Sequence, residues 1–248
     1  MKRVKLIVAY DGSNYSGWQI QPNAVTIEAI LNFHLTQLLR EPIKVIGASR
    51  TDAGVHALGN VAVFDTSARM PAEKISFAMN TRLPADIRIQ DSCEVPLDFH
   101  PRFQRTIKTY EYSILNRKFP DPTKRLYSLF YYHPLDVEKM QRAADYLVGE
   151  HDFKSLCTYK ADVESTVRTI YSVDIEKNGE MITIRIRGNG FLYNMVRIIT
   201  GTLLRVGTGY YQPEYMKELL EAKDRQAAGE TAPPQGLMLV KIEYPDYL

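Results

Sequence analysis

The sequence is poor in several things, and each shortage narrows the field. Two cysteines, Cys93 and Cys157, occur in 248 residues, far apart and without a CxxC pair. That excludes a disulfide-stapled framework and suits a reducing, cytoplasmic setting. The five histidines are scattered without ligand spacing, so no metal site is expected. No apolar run approaches the length of a membrane span. The opening Met1–Tyr10 starts basic, but its apolar part is too short for a signal peptide and runs into Asp11-Gly12 without a cleavage site. An excess of one charge is also missing: 31 Lys+Arg against 29 Asp+Glu leave a net +2. The total therefore does not announce a polyanionic partner, although a basic face can exist within a near-neutral chain. The remaining balance, 45% apolar and 24% charged, is that of a globular protein able to bury one large core or two smaller ones.

Periodicity organises the first half. Val4–Tyr10 reads as a strand closed by the turn signal Asp11-Gly12. Ile27, Ile30, Leu31, Leu35, Leu38 and Leu39 recur at helical spacing, with Thr26 as N-cap, Glu28 in the first turn and Pro42 stopping the helix soon after Arg40. Ile43–Ile46 and Val61–Phe64 read as strands, Pro71–Asn80 as a helix, and Ile87 to about Val95 as a strand. Strand, helix, strand, strand, helix, strand is the ferredoxin-like order.

The second half repeats that order without visible sequence self-similarity. Thr106–Leu115 is a strand; Asp136 caps a helix with Val137, Met140, Ala144 and Leu147 on one face, and Gly149 stops it. Thr169–Glu176 and Met181–Arg187 are strands joined by Asn178-Gly179, a hairpin signal. Phe191–Val206 reads as a helix with Leu192, Met195, Val196, Ile199 and Leu203 as its apolar stripe, followed by a short helix near Pro213 and a closing strand, Leu237–Tyr244. The expected fold class is α+β: two ferredoxin- or RRM-like βαββαβ halves, 1–100 and 101–248. Helices pack on one continuous, mainly antiparallel sheet with a central cleft, and the boundary lies near Pro96–Pro101.

One stretch does not read as scaffold. Gly47-Ala48-Ser49-Arg50-Thr51-Asp52-Ala53-Gly54-Val55-His56-Ala57 connects two expected strands and carries an arginine and an aspartate two apart, framed by glycines. In extended chain the two side chains share a face. By itself that spacing describes a solvated ion pair on a loop. As a whole string it resembles the active-site motif R-T-D-x-G-V-H-A of the TruA family of tRNA pseudouridine synthases.

Other segments carry the same resemblance. Tyr10-Asp11-Gly12, Tyr15 and Gly17-Trp18-Gln19-Ile20-Gln21 match the family's opening pattern Y-D-G-x-x-Y-x-G-W-Q-x-Q. Asn80–Ile87 looks like the family as well. Phe99-His100-Pro101-Arg102-Phe103 matches F-H-x-R, and Gly188–Arg197 matches G-x-G-F-L-Y-x-M-V-R. Together they cover nearly the whole chain, with no departure at the catalytic positions. Trp18 is read as a packing residue before a base-stacking one.

The resemblance implies residue roles. Asp52 is the catalytic aspartate. Arg50 helps displace and hold the target nucleotide. Tyr110, in Thr106-Ile107-Lys108-Thr109-Tyr110-Glu111-Tyr112, is the active-site tyrosine, with Tyr112 as the weaker candidate on the same strand face. Arg197 pairs with the catalytic aspartate, and Leu237 packs at the target base. Arg185 and Arg187 stand on the strand face opposite Ile182, Ile184 and Ile186, either solvated or touching phosphates. The resemblance further implies isomerisation of uridine at positions 38 to 40 of the tRNA anticodon stem-loop by a homodimer, without cofactor or membrane. That reaction breaks an N-glycosidic bond and forms a C-glycosidic one, with nothing oxidised and no group imported. The aspartate either attacks the sugar or assists a glycal intermediate. The rival readings are a non-catalytic RNA-binding or tRNA-folding protein on the same fold, for which the RNP1 aromatics are missing, and a glycosidase-like hydrolase, for which a second carboxylate is missing.

Overall fold

The computed structural model describes residues 1–158 and 164–247. The chain divides into two units, Met1–Thr106 with Met238–Leu248, and Ile107–Leu237. The class is α+β with mostly antiparallel strands, as the sequence predicts.

The first unit runs β1 (Lys2–Tyr10), α1 (Ile27–Leu39), β2 (Ile46–Gly47), β3 (His56–Thr66), α2 (Ala72–Asn80) and β4 (Ile87–Val95). Its strands are ordered β4-β1-β3, with β2 on β3, all antiparallel. This is the ferredoxin-like arrangement. β1 alternates buried Val4, Leu6, Val8 and Tyr10 with partly exposed residues, the signature of a strand with one face in the core. Thr26 caps α1, its side chain accepting from the Ala29 N–H at 3.4 Å. The helix buries Ile27, Leu31 and Leu35 and ends where Arg40 turns left-handed at φ +57°. α2 follows Pro71 and lies against β4.

Strand β2 is shorter than the expected Ile43–Ile46. The Ile43 N–H donates to Thr36 Oγ1 at 3.0 Å and the Val45 N–H to Asn32 Oδ1 at 2.8 Å. Two side chains of α1 thus take the backbone donors that a ladder would need.

The second unit runs β5 (Ile107–Asn116), β6 (Leu129–Tyr131), α3 (Val137–Asp145), β7 (Gly149–Asp152), β8 (Val167–Asn178), β9 (Met181–Gly188), α4 (Met195–Gly207) and α5 (Tyr215–Ala222). Its strands lie in the order β5-β9-β8-β7, with β6 parallel on β5. The β8–β9 hairpin closes through Gly179-Glu180, Asn178 facing Met181, with Gly179 at φ +60°. α3 packs on β8 and α4, and α4 on β5.

Strands β6 and β7 are additions that the repeat reading does not contain. Gly149, expected as a helix stop, opens β7 at φ +114°; α3 has already ended at Asp145, with Leu147 buried beyond it. α4 begins at Met195, later than Phe191, because Asn194 adopts φ +61° and breaks the run-in. It is buried on almost every side, so a central rather than a surface helix stands here.

The last strand, β10 (Leu237–Glu243), pairs in parallel with β3, Met238 facing His56 and Leu239 facing Ala57. Residues from Met238 onward therefore belong to the first unit, where a division into 1–100 and 101–248 would give them to the second.

Candidate active site

The loop that carries Arg50 and Asp52 lies in the first unit and is stitched to the segment following β1. The Trp18 N–H donates to Thr51 O at 3.0 Å, and the Gly54 N–H to Tyr15 O at 3.3 Å. The Tyr10 hydroxyl and Thr51 Oγ1 share a buried hydrogen bond of 2.8 Å. Asn60 Nδ2, in the middle of β3, donates to Ser49 O at 3.0 Å and to the Tyr10 hydroxyl at 3.3 Å. The Gly12 N–H donates to His56 Nδ1 at 3.0 Å, with Asp11 Oδ1 3.1 Å from the same nitrogen. The Tyr10–Gln21 and Gly47–Ala57 motifs thus form one hydrogen-bonded body.

Close packing finishes the job. Trp18 is fully buried beneath Gly47, where a Cβ would fall 2.3 Å from its indole nitrogen. The packing reading of Trp18 therefore holds, since no face of the ring is open to a base. A tight turn follows the aspartate, the Val55 N–H donating to Asp52 O at 3.2 Å, with Gly54 at φ +77°. Asp52 is half-exposed and Arg50 exposed, while their neighbours Ser49 and Thr51 are buried. The loop thus presents the two charged side chains on a fixed backbone, which is what positioned chemistry requires.

Arg102, named above only within the F-H-x-R match, also belongs to this neighbourhood. Its Nε–H donates to Gly47 O at 2.7 Å, at the root of the loop. Desolvation and the nearby positive charge of Arg50 hold its guanidinium below the ordinary arginine value, with Glu28 acting the other way.

Tyr110, Arg185, Arg187, Arg197 and Leu237 belong to the second unit. Tyr110 is buried on β5 and meets Phe191 edge to face, ring centroids 5.1 Å apart. Tyr112 is fully buried and its hydroxyl donates to Pro233 O at 2.7 Å. Burial pushes the Tyr112 phenol well above its ordinary value, with Arg197 opposing. Tyr112 is therefore committed to the scaffold, which favours Tyr110 of the pair. Arg197 is half-buried on the first turn of α4; its Nε–H donates to Ala232 O at 2.7 Å and its NH1 to Asn194 Oδ1 at 3.0 Å. Leu237 is buried.

Arg185 and Arg187 do stand on the face of β9 opposite the buried Ile182, Ile184 and Ile186. The Arg185 Nε–H donates to Glu111 Oε1 at 2.7 Å, and the same oxygen lies 2.6 Å from NH2. Its cross-strand neighbours are Glu111 on one side and Asp174 on the other. Much of its charge is thereby neutralised. Among the described residues no group of three His, Cys, Asp or Glu side chains could hold a metal, and no helix is long and apolar enough to cross a membrane.

Comparison with known proteins places the chain in a family. Residues 6–104 and 143–245 match the family described as tRNA pseudouridine synthase. The chain belongs to the tRNA pseudouridine synthase family. Relatives named tRNA pseudouridine synthase A resemble it end to end. That of Thermoanaerobacter sp. (strain X514) is 49% identical over 244 residues, covering 98% of this chain and 100% of its own. Those of Geotalea uraniireducens (strain Rf4) and Brevibacillus brevis are 48% and 47% identical over the same length, with the same coverage. The crystal structure of the archaeal box H/ACA sRNP Nop10-Cbf5 complex aligns with 91% of this chain and 59% of its own at 12% identity, with a TM-score of 0.37. The matched family spans contain Arg50, Asp52, Arg102, Arg185, Arg187, Arg197 and Leu237, whereas Tyr110 falls between them.

Proposed function

We propose that the chain isomerises uridine to pseudouridine at positions 38, 39 and/or 40 of the tRNA anticodon stem-loop, with Asp52 as the catalytic nucleophile. The observation that carries this reading is the Arg50-Thr51-Asp52 loop, rigidly bound to the Tyr10–Gln21 motif, in a chain that belongs to a tRNA pseudouridine synthase family over almost its full length.

The target base has to leave the stack before a protein group reaches its glycosidic bond. Arg50, exposed and without a hydrogen bond or ion pair among the described residues, is free to occupy the gap or hold a phosphate. Asp52, ionised, attacks the sugar carbon or assists glycal formation. The base then turns and re-bonds through carbon, so atoms and electrons balance without a co-reactant. Tyr110 stacks on the extruded base, and its hydroxyl takes part in proton transfer. Arg197 pairs with Asp52 and favours the carboxylate form. Leu237 packs against the base, and Arg185 and Arg187 contact phosphates, Arg185 after releasing Glu111. Two copies of the chain act together on one tRNA in the cytoplasm, where both thiols stay free.

The test incubates the purified chain with unmodified tRNA transcript and no cofactor, and maps pseudouridine by carbodiimide labelling and primer extension. Stops at positions 38 to 40 are expected. In Asp52→Ala they disappear while tRNA binding persists. Turnover near wild type in that variant removes Asp52 from the mechanism, and tight binding without any stop favours the non-catalytic reading. Light scattering on the same sample reads twice the chain mass for the dimer and the single chain mass against it.

A further inference from the structure

The turn that follows β4 places an uncommitted cation and an open aromatic face beside the Asp52 loop. Phe103 is 84% exposed, and its ring stacks on His100 with centroids 4.0 Å apart and planes 14° from parallel. The turn is closed by the Phe103 N–H donating to His100 O at 3.3 Å and the Arg102 N–H donating to His100 Nδ1 at 3.2 Å. A nitrogen that accepts from the backbone belongs to a neutral imidazole. Desolvation, then Arg102 and Arg3, lower the His100 value and keep the ring neutral at physiological pH. The histidine therefore backs the phenylalanine as a flat, uncharged second layer.

Arg102 spends only its Nε–H on the protein, at Gly47 O, so both terminal nitrogens remain for a ligand. Arg50 lies close enough to repel it. Two guanidinium groups set against one another call for an anion between them. Glu28, the carboxylate whose charge reaches Arg102, has Oε2 accepting from the Ile20 N–H at 2.9 Å. An exposed phenylalanine with one face covered and the other open suits a base, because every base offers a π-face.

We propose that Arg102 and Phe103 form a second substrate subsite beside the Asp52 loop. Arg102, together with Arg50, holds a phosphate of the RNA strand, and Phe103, backed by His100, stacks an unpaired base near the target nucleotide. This rests on the reading of the chain as an enzyme acting on tRNA. The ligand class is single-stranded or loop RNA, bound through backbone and stacking without base-edge readout.

The experiment measures Kd for unmodified tRNA transcript across a salt series, and single-turnover rate at saturating chain, for wild type, Phe103→Ala, Phe103→Trp and Arg102→Gln. Phe103→Ala weakens binding about tenfold, and Phe103→Trp restores it. Arg102→Gln weakens binding and lowers the slope of log Kd against log salt by about one. A loop merely loosened by loss of the Gly47 contact would slow turnover and leave the slope intact. Phe103→Ala with wild-type Kd overturns the stacking role, and Arg102→Gln with an unchanged slope overturns the phosphate role. If wild type neither binds nor modifies tRNA, the functional reading itself fails. If wild type modifies tRNA and both variants bind normally, the subsite alone fails.

Discussion

At Gly17 the backbone turns through φ +89°, and a Cβ there would lie 2.6 Å from Thr51 O, the carbonyl next to Asp52 in the chain. Both features act against a side chain. Left-handed backbone costs an L-residue about 1–2 kcal/mol, and forcing extra atoms into packed backbone about 1–3 kcal/mol more. Gly17→Ala is therefore expected to lose roughly 2–5 kcal/mol in urea unfolding, and to lower turnover because the atom that moves belongs to the Asp52 loop. Gly179→Asn is the internal control. It sits at φ +60° with nothing within 4 Å of a built Cβ, and asparagine tolerates that region. Stability of Gly17→Ala indistinguishable from the control would mean that the two motifs touch without supporting one another. Trp18 makes the same point from the other side. Its presence in a motif invites a role in base stacking, yet its place beneath Gly47 makes it the floor of the loop.

Helix α4 depends on the segment after α5 more than on its own propensity. Gly201 sits mid-helix, where alanine would ordinarily be better by about 1 kcal/mol, but a Cβ there would lie 1.7 Å from Glu230 O. Gly229 meets the same turn of helix from the opposite side, and its N–H donates to Thr202 Oγ1 at 3.0 Å. Further along, the Ala232 N–H donates to Arg197 O at 3.1 Å and Ala232 O accepts from Arg197 Nε. Pro233 O accepts from Tyr112. The segment is thus a strap, and it orients the Arg197 guanidinium. Gly201→Ala is expected to lift it: a net loss of about 1–3 kcal/mol despite the propensity gain, faster proteolysis within residues 224–236, and slower isomerisation. Stabilisation of the variant would show that the strap yields freely.

These contacts also explain what the sequence could not disclose. Periodicity and caps are local, so Thr26, Asp136 and the Asn178-Gly179 hairpin were legible. Asn194 was not, because its left-handed φ serves a side chain that reaches Thr158 and Arg197 instead of capping α4. Irregular segment 224–236 looked like spare loop because its partners Arg197 and Tyr112 lie 35 and 121 positions away. For the site, the Asp52 loop was legible only as a whole string, and Arg102 was hidden because its partner is a backbone carbonyl 55 positions earlier.

At the scale of the molecule, the ionisable groups that folding perturbs act in one direction as the solution is acidified. His34 and His100 are both held below the ordinary 6.5, first by desolvation and then by neighbouring arginines. A histidine that resists protonation when folded supports the native state fully above the unfolded value and loses that support as pH falls toward the folded one. Several carboxylates add a second window. Asp65 is lowered by the Arg3 hydrogen bond, Asp152 by Thr166, Asp136 by the Lys139 backbone N–H, and Glu41 by Ser67 and Thr66. Their support is complete above about pH 4–5 and is lost below it as each becomes protonated. Stability is thus expected to fall in two steps, a first as pH drops below about 6.5 and a second below about 4.5, with little change from pH 7 to 8. Because these groups are largely solvent-exposed, each step is small and screened by salt. Urea midpoints measured from pH 8 to 3 would show both steps. In His34→Asn combined with His100→Asn the first step should flatten while the second stays, since the substituted side chains no longer titrate and the carboxylates are untouched. A first step that survives the double substitution would have to come from a group other than these two histidines, and the neutral ring assigned to His100 beneath Phe103 would lose its thermodynamic support.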